Sequence, residues 1–448
     1  MLSDAQFTAT SIADRVRSGT LSPVDAVRAS LDRIDKRDAR IGAFALVRSD
    51  KALAEAEALS ARTDLADLPL AGVPIAVKDN VAVAGEPMRS GSAATSATPA
   101  TADHAVVARL RAAGAVVVGI TTMPELGVWS ATDGPNRITR NPWNLDRTCG
   151  GSSGGAGAAV AAGMVPVAQG NDGLGSIRIP SASCGIFGIK PGKDLVPADI
   201  GKNSWFDMAE NGPMATTVAD AALMLSVLAD NPDFAQIADP DKLRIGLAVG
   251  APKRGSGADR HWTAAARKAG SVMVSAGHLV ETATLPYPSL LPVLFRWTAS
   301  TSLDSKGLDR SKLEKRNRRH SAIGRVVGGI GLIGPVQVEK VQAELRVFFE
   351  NLDLVITPTL ARMPPKAKAW SEASWASNIV TSARFAPFAP LWNLVGWPAA
   401  SVPIGTHPKS GTPMAVQIAG PPGSEAKILA LAAQLEVRRP WVRIAPNV

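Results

Sequence analysis

Two glycine-flanked serines, Ser152 in CGGSSGG and Ser176 in DGLGSIRIP, stand 24 positions apart within the stretch Asn141 to Gly192, and Lys78 closes an apolar segment upstream. A serine hydroxyl is a poor nucleophile until a neighbour takes its proton, and a lysine can take it only when neutral. Burial at a strand end lowers a lysine pKa, because the ammonium form loses its hydration there. Glycines let backbone N–H groups surround a developing oxyanion where the chain turns tightly, as it could at Asp172, Gly173, Leu174, Gly175 and Ser176. Each feature also has a plainer reading: Lys78 reaching from a strand end to water, and DGLGS as a loop between helix and strand.

Other chemistries fit less well. Gly150 to Gly155 matches G-x-S-x-G twice, centred on Ser152 and on Ser153, but a nucleophile elbow needs a preceding strand, and NPWNLDRTC reads as turn-like. None of the downstream histidines, His261, His278, His320 and His407, has a special setting. No Gly-Lys-Ser/Thr follows the glycines, so a phosphate loop is not expected. The S-x-x-K at Ser424 to Lys427 lacks the companion motifs of penicillin-binding enzymes. Five scattered histidines give no metal spacing, and no metal or other cofactor is expected. Cys149 and Cys184 form no CxxC pair and suit small buried residues in a reducing cytoplasm.

The elements that must position these residues follow from periodicity. Residues 10–62 are helical, with Ile12, Val16, Val24, Val27, Leu31 and Ile34 on one face and a helix start at Ser22-Pro23. Leu70 to Val77 is a short buried strand that delivers Lys78. A helix over Asp103 to Ala113 leads into a strand over Ala115 to Thr121, and that helix-then-strand order is α/β layering. Further strands are predicted at Leu243 to Val249, Leu354 to Thr357, Ala400 to Ile404 and Met414 to Ile418. Helices are predicted at Val218 to Leu228, Asp259 to Ala276, Val336 to Phe349 and Glu425 to Leu435. No repeat or linker divides the chain, so one domain over residues 1–448 is expected, with the irregular part between Pro286 and Pro335 as an insertion or lid.

With 448 residues, 46% of them apolar, there is ample core material, and the net charge of +9 bears on encounter rather than on fold. The one concentrated basic run, Lys306, Arg310, Lys312, Lys315, Arg316, Arg318 and Arg319, reads as a solvated helix face, since it lacks interleaved aromatics; nucleic acid is not an expected partner. The N-terminus has no signal-peptide pattern, and no apolar run in the central stretch is long enough to span a bilayer.

Taken together, GVPIAVKDN around Lys78, HAVVARLRAAGAVVVGITTMPELG, NPWN, GGSSGG, GSIRIP, SCGIFGIKPG, ENGPMATTVADAALML and WNLVGWPAASVPIG resemble the amidase signature family. The resemblance covers about three quarters of the chain and is densest between Leu70 and Leu228. It implies an α/β fold, a single large domain with a mixed central β-sheet flanked on both faces by α-helices. It also implies an amidohydrolase in which Ser176 is the acyl-forming nucleophile, Ser152 the bridging serine on a cis Gly151–Ser152 peptide, and Lys78 the base. Gly173, Leu174, Gly175 and Ser176 would supply oxyanion N–H groups, with Ser153, Asp172 and Arg178 bracing the site. The implied partner is a small-molecule amide, with no membrane; a homo-oligomer stays open. Trp129, Trp143, Trp205, Trp392 and Trp397 near these motifs suggest an apolar or aryl acyl group, although each alone reads as core. Leu174 stands where the family loop usually has glycine, and Lys193 to Val196 lacks the usual glycine-arginine pair. Two alternatives are the amidase subunit of a tRNA-dependent amidotransferase and a non-catalytic member with a spoiled oxyanion hole.

Overall fold

The computed structural model describes residues 2–134, 137–252 and 255–446. One mixed sheet of eleven strands runs through the molecule in the order Phe44–Val47, Val116–Thr121, Pro74–Lys78, Val167–Asp172, Glu210–Ala215, Phe187–Lys190, Ala399–Thr406, Pro413–Ala419, Leu354–Pro358, Arg244–Leu247, Leu279–Thr282. The three neighbours Val116–Thr121, Pro74–Lys78 and Val167–Asp172 are mutually parallel, and Glu210–Ala215 then joins antiparallel. Lys78 and Asp172 therefore end two adjacent parallel strands at the same edge, the carboxyl edge at which open α/β sheets place ligands.

The helices that cover the sheet start and stop where the sequence directs. Ser22 Oγ accepts the N–H of Asp25 ahead of the helix Pro23–Ile41, and Gly42 ends that helix in the left-handed region. Thr217 caps Val218–Leu228 and Asp259 caps Arg260–Ser275 in the same way. The short helix Gly154–Ala161 is buried all round. Its first two residues are glycines because nothing larger fits: a Cβ on Gly154 would lie 2.1 Å from Thr132 Oγ1, and one on Gly155 would lie 2.4 Å from Thr122 Oγ1. The glycines after Ser153 thus let this helix press directly against the chain around Thr122 and Thr132.

The predicted strands and helices are present, with ends shifted by a few residues. Five sheet strands went unpredicted: Phe44–Val47, Val167–Asp172, Phe187–Lys190, Glu210–Ala215 and Leu279–Thr282. Phe44–Val47 also breaks the stretch 10–62 read as helical. Four of the five carry glycine, proline or several polar residues, which mask the β pattern. NPWNLDRTC is not a plain turn, since Asn144–Thr148 pairs with Arg140–Asn141. That hairpin lies outside the main sheet, so a strand-to-helix nucleophile elbow is not formed.

The stretch between Pro286 and Pro335, expected to be irregular, holds two helices, Leu291–Asp304 and Lys315–Gly329, which pack together. Gly324 makes their contact possible, since a Cβ there would sit 1.8 Å from the Thr298 carbonyl oxygen. The basic run is likewise not a uniform solvated face. Arg316, Asn317, His320, Ser321 and Gly324 turn inward at helical spacing, while Lys315 and Arg319 stay exposed. Arg316 is buried, its guanidinium bonded to Glu314 (2.7 Å), Asp133 (3.0 Å) and Asn378 (3.0 Å) and placed over the Trp129 ring.

Candidate active site

Lys78 is fully buried at its strand end, and its Nζ lies 2.8 Å from Ser152 Oγ, 2.7 Å from Asn171 Oδ1 and 3.4 Å from the Asn171 carbonyl. Its backbone N–H donates to Gln169 Oε1. Burial brings the lysine pKa down to about 7, against a smaller upward pull from the Asp172 charge. Near neutrality this amine is therefore partly in the form that can accept a proton. The Gly151–Ser152 peptide is cis. Neighbouring Ser153 donates its hydroxyl to the Asn171 carbonyl (3.0 Å), and its backbone N–H donates to the Ser176 carbonyl (3.1 Å). The two glycine-rich serine loops are thereby held side by side.

Below the second loop lies a buried ion pair. Arg178 meets the Asp172 carboxylate with Nε at 2.9 Å and Nη2 at 3.0 Å, and its remaining N–H groups go to Ala389 O, Gln417 Oε1 and Asn393 Oδ1. Burial would push the Asp172 pKa up, but the Arg178 charge and hydrogen bonds, helped by Asn393, hold it well below the usual carboxylate range. The carboxylate also accepts the backbone N–H groups of Gly175 (2.5 Å) and Ile177 (3.1 Å), which fixes the turn carrying Ser176. This corrects one expectation: the Gly175 N–H is turned towards Asp172 and is not among the N–H groups free to meet substrate. Gly175 itself takes φ of 107°, whereas Leu174 is absent from the residues with positive φ. Leucine therefore sits in this loop without left-handed strain, and the left-handed position falls on a glycine.

Ser176, Leu174 and Gly151 open onto a cavity of about 510 Å³. Its walls are mostly apolar, with Trp129, Trp205, Trp297, Val293 and Ile179 among them. Of the five tryptophans singled out in the sequence, Trp129 and Trp205 reach this cavity. Trp392 and Trp397 belong to the core, and Trp143 donates its indole N–H to the Cys184 carbonyl. Trp205 lies against Gly173, where a Cβ would come within 2.9 Å of the indole ring.

Lys78, Ser152, Ser153, Asp172, Gly173, Leu174, Gly175, Ser176 and Arg178 thus converge on one place. Sequence reasoning missed Asn171, Asn393, Gln417 and Trp297. Gln169 and Asn171 alternate on the buried strand Val167–Asp172, a polar pattern that marks a functional edge. Asn393 lay inside the quoted WNLVGWP motif; Trp297 carried no signal. Among the described residues no group of three or more His, Cys, Asp or Glu side chains could hold a metal ion, and no helix is long and apolar enough to cross a membrane.

Comparison with known proteins identifies the family to which this fold belongs. The model of the amidase family matches residues 25–322 and 336–429. The chain is 39% identical over 445 residues to the protein named "Putative amidase AmiB2" of Mycobacterium tuberculosis strain H37Rv, covering 96% of each chain. It is 32% identical over 472 residues to an acylamidase of Rhodococcus erythropolis, covering 98% of this chain and 97% of the relative. The solved structure of 6-aminohexanoate cyclic dimer hydrolase complexed with substrate superposes with a TM-score of 0.88 at 30% identity, covering 98% of both chains. The site and the fold that carries it belong together: the chain is a member of the amidase family, hydrolases acting on amide C–N bonds.

Proposed function

We propose that this amidase hydrolyses a carboxamide with an apolar or aryl acyl group to the carboxylic acid and an amine or ammonia, through an acyl-enzyme on Ser176. The observation that carries the reading is the 2.8 Å contact between the buried Lys78 amine and Ser152 Oγ, beside a cavity lined by Ser176. Ser176 attacks the amide carbon while its proton passes through Ser152 to neutral Lys78. The N–H groups of Gly173, Leu174 and Ser176 are the donors for the tetrahedral oxyanion, while Gly175 serves the turn. The proton returns along the same relay to the leaving nitrogen, and water then releases the acid with Lys78 again as base.

The acyl preference rests on the walls. Among the described lining residues Arg384 is the one charged side chain, which suits a neutral apolar group better than the zwitterionic end of glutamine. That favours a self-contained amidase over an amidotransferase subunit. The relatives named as acylamidase and cyclic dimer hydrolase point the same way. Fluorophosphonate labelling with peptide mapping is expected to modify Ser176. A label on any other residue, or full turnover by Ser176→Ala, overturns the assignment. A panel of aliphatic, aryl and amino-acid amides read by acid and ammonia release should rank aryl and longer aliphatic acyl groups first.

A further inference from the structure

A second cavity, of about 620 Å³, lies against the helices Leu291–Asp304 and Lys315–Gly329. Phe206, Leu303, Leu308 and Leu313 give it an apolar floor, and Lys306, Arg310, Arg318 and Arg325 stand around it. No carboxylate is among its described lining residues. The acids nearest in sequence are engaged elsewhere. Asp304 accepts from the Lys202 N–H and from Trp205 Nε1, Asp309 accepts from Ser311 N and Oγ and lies 3.9 Å from Lys312, and Glu314 pairs with Arg316. Among the described residues none of the four lining cations has a carboxylate within 4.0 Å, in contrast to Arg316, which shares a helix with Arg318 and Arg325. Arg318 donates to the Arg310 carbonyl, which holds its guanidinium beside the cavity.

Four unpaired cations repel one another, and the arrangement is relieved when an anion joins them. An apolar floor beneath the charges selects against a bare inorganic ion, because only a ligand with a carbon body covers that surface. We propose that this cavity is a binding site for an organic anion with an apolar body and a carboxylate or phosphate head. It is separate from the amide site, although the two share a wall. Val293, Leu294 and Trp297 of the helix Leu291–Asp304 face the first cavity and Ala299 and Leu303 the second, while Trp205 and Phe206 face one cavity each.

The test is calorimetric titration of the full chain, at low and at physiological salt, with 4-phenylbutyrate, with 2-phenylethyl phosphate and with neutral 4-phenylbutanol. Arg310→Gln/Arg325→Gln removes two exposed charges that, among the described residues, make no side-chain hydrogen bond or ion pair. The expected result is binding of at least one of the two anions, weakened ten-fold or more by the double substitution at unchanged melting temperature, with the alcohol binding equally in both proteins. The two heads identify the ligand's source: a preference for phosphate points to a phosphorylated metabolite, and a preference for carboxylate to an acid. Lys306→Gln is the second variant should the double one melt early, with a three-fold or larger weakening expected. Unchanged anion affinity in the variants overturns the proposal. So does binding of heparin or an oligonucleotide that the variants abolish when neither small anion binds, which would make the cluster a polyanion surface. The outcome is independent of whether Ser176 is the nucleophile.

Discussion

The amide site has two unlike halves. Its floor consists of Lys78, Asn171 and Asp172 at the ends of adjacent strands, with Ser152, Ser176 and Arg178 on the loops and helix start beside them, and all but Ser176 are buried and tied together by short hydrogen bonds. Its walls come from the helices Leu291–Asp304 and Trp375–Phe385 and from the turn around Trp205, and they meet the cavity with apolar surface. In the floor a displacement of one atom leaves a buried charge or donor unpaired, so geometry is over-determined there. In the walls contacts are interchangeable, and a change alters what fits rather than whether chemistry runs. The contrast predicts that floor substitutions act on kcat or on folding, and wall substitutions on substrate choice.

The sharpest break of that contrast is Ser176→Ala, expected to lower kcat by roughly 10⁴-fold or more, as loss of a nucleophile does. The variant should melt like the parent. A comparable activity with any amide in the panel would show that the floor is not where the bond is cut.

Next is Lys78. Substitution by Met should lower kcat by about 10²- to 10⁴-fold, the range of a general base, with KM little changed. Lys78→Arg should do no better, since arginine stays charged. With the lysine pKa at about 7, the parent's kcat should rise with pH up to about 7 and then level, because the neutral amine is the active form. The unfolded chain holds this proton up to about 10.5, so the parent should gain stability relative to Lys78→Met as pH climbs from 7 towards 10. Urea midpoints at the two pH values read that difference, and a residual acid limb near 7 in the Met variant would assign the titration to another group.

The same division explains what could be read from the chain alone. Ser152, Ser153, Asp172, Ser176 and Arg178 lie within 27 residues, and glycine spacing and strand-end burial are local properties, so the floor is legible in the sequence. Its finer geometry is not: the Gly175 N–H serves Asp172, and Asp172 and Arg178 are themselves held by Asn393 and Gln417, which arrive from far along the chain. The walls were least legible. Trp297 lies 121 residues beyond Ser176 in a segment that reads as irregular, and nothing local distinguishes a tryptophan facing a cavity from one facing a core. The same holds for Arg316, buried only because Asp133, Glu314 and Asn378 gather around it.

Asp172→Asn tests whether the floor is structural as well as chemical. It leaves the Arg178 guanidinium buried without its counter-charge, which typically costs about 3–5 kcal/mol. Asp172 has a folded pKa below its unfolded one, so its stabilising contribution is present above the unfolded value and is lost as pH falls towards the folded one. The expected result is a large drop in urea midpoint at pH 7 that shrinks as the pH is lowered through 4. A drop independent of pH would point to the hydrogen bonds of Asp172 rather than to its charge.

The smallest effect, and the one that separates the halves most cleanly, belongs to Trp297. Its ring lines the cavity and packs edge-on against Trp129 at 5.7 Å and tilted against His320 at 4.6 Å, so it forms wall. Trp297→Ala removes apolar surface that a long or aryl acyl group would cover but a short one would not reach. The kcat/KM for aryl amides should fall by about 10- to 100-fold, the scale of a lost apolar contact, while that for acetamide moves less than three-fold. Trp297→Phe should restore most of the aryl preference. Both substrates falling together would place Trp297 with the floor, because only a shift in the catalytic groups lowers turnover regardless of what the cavity holds.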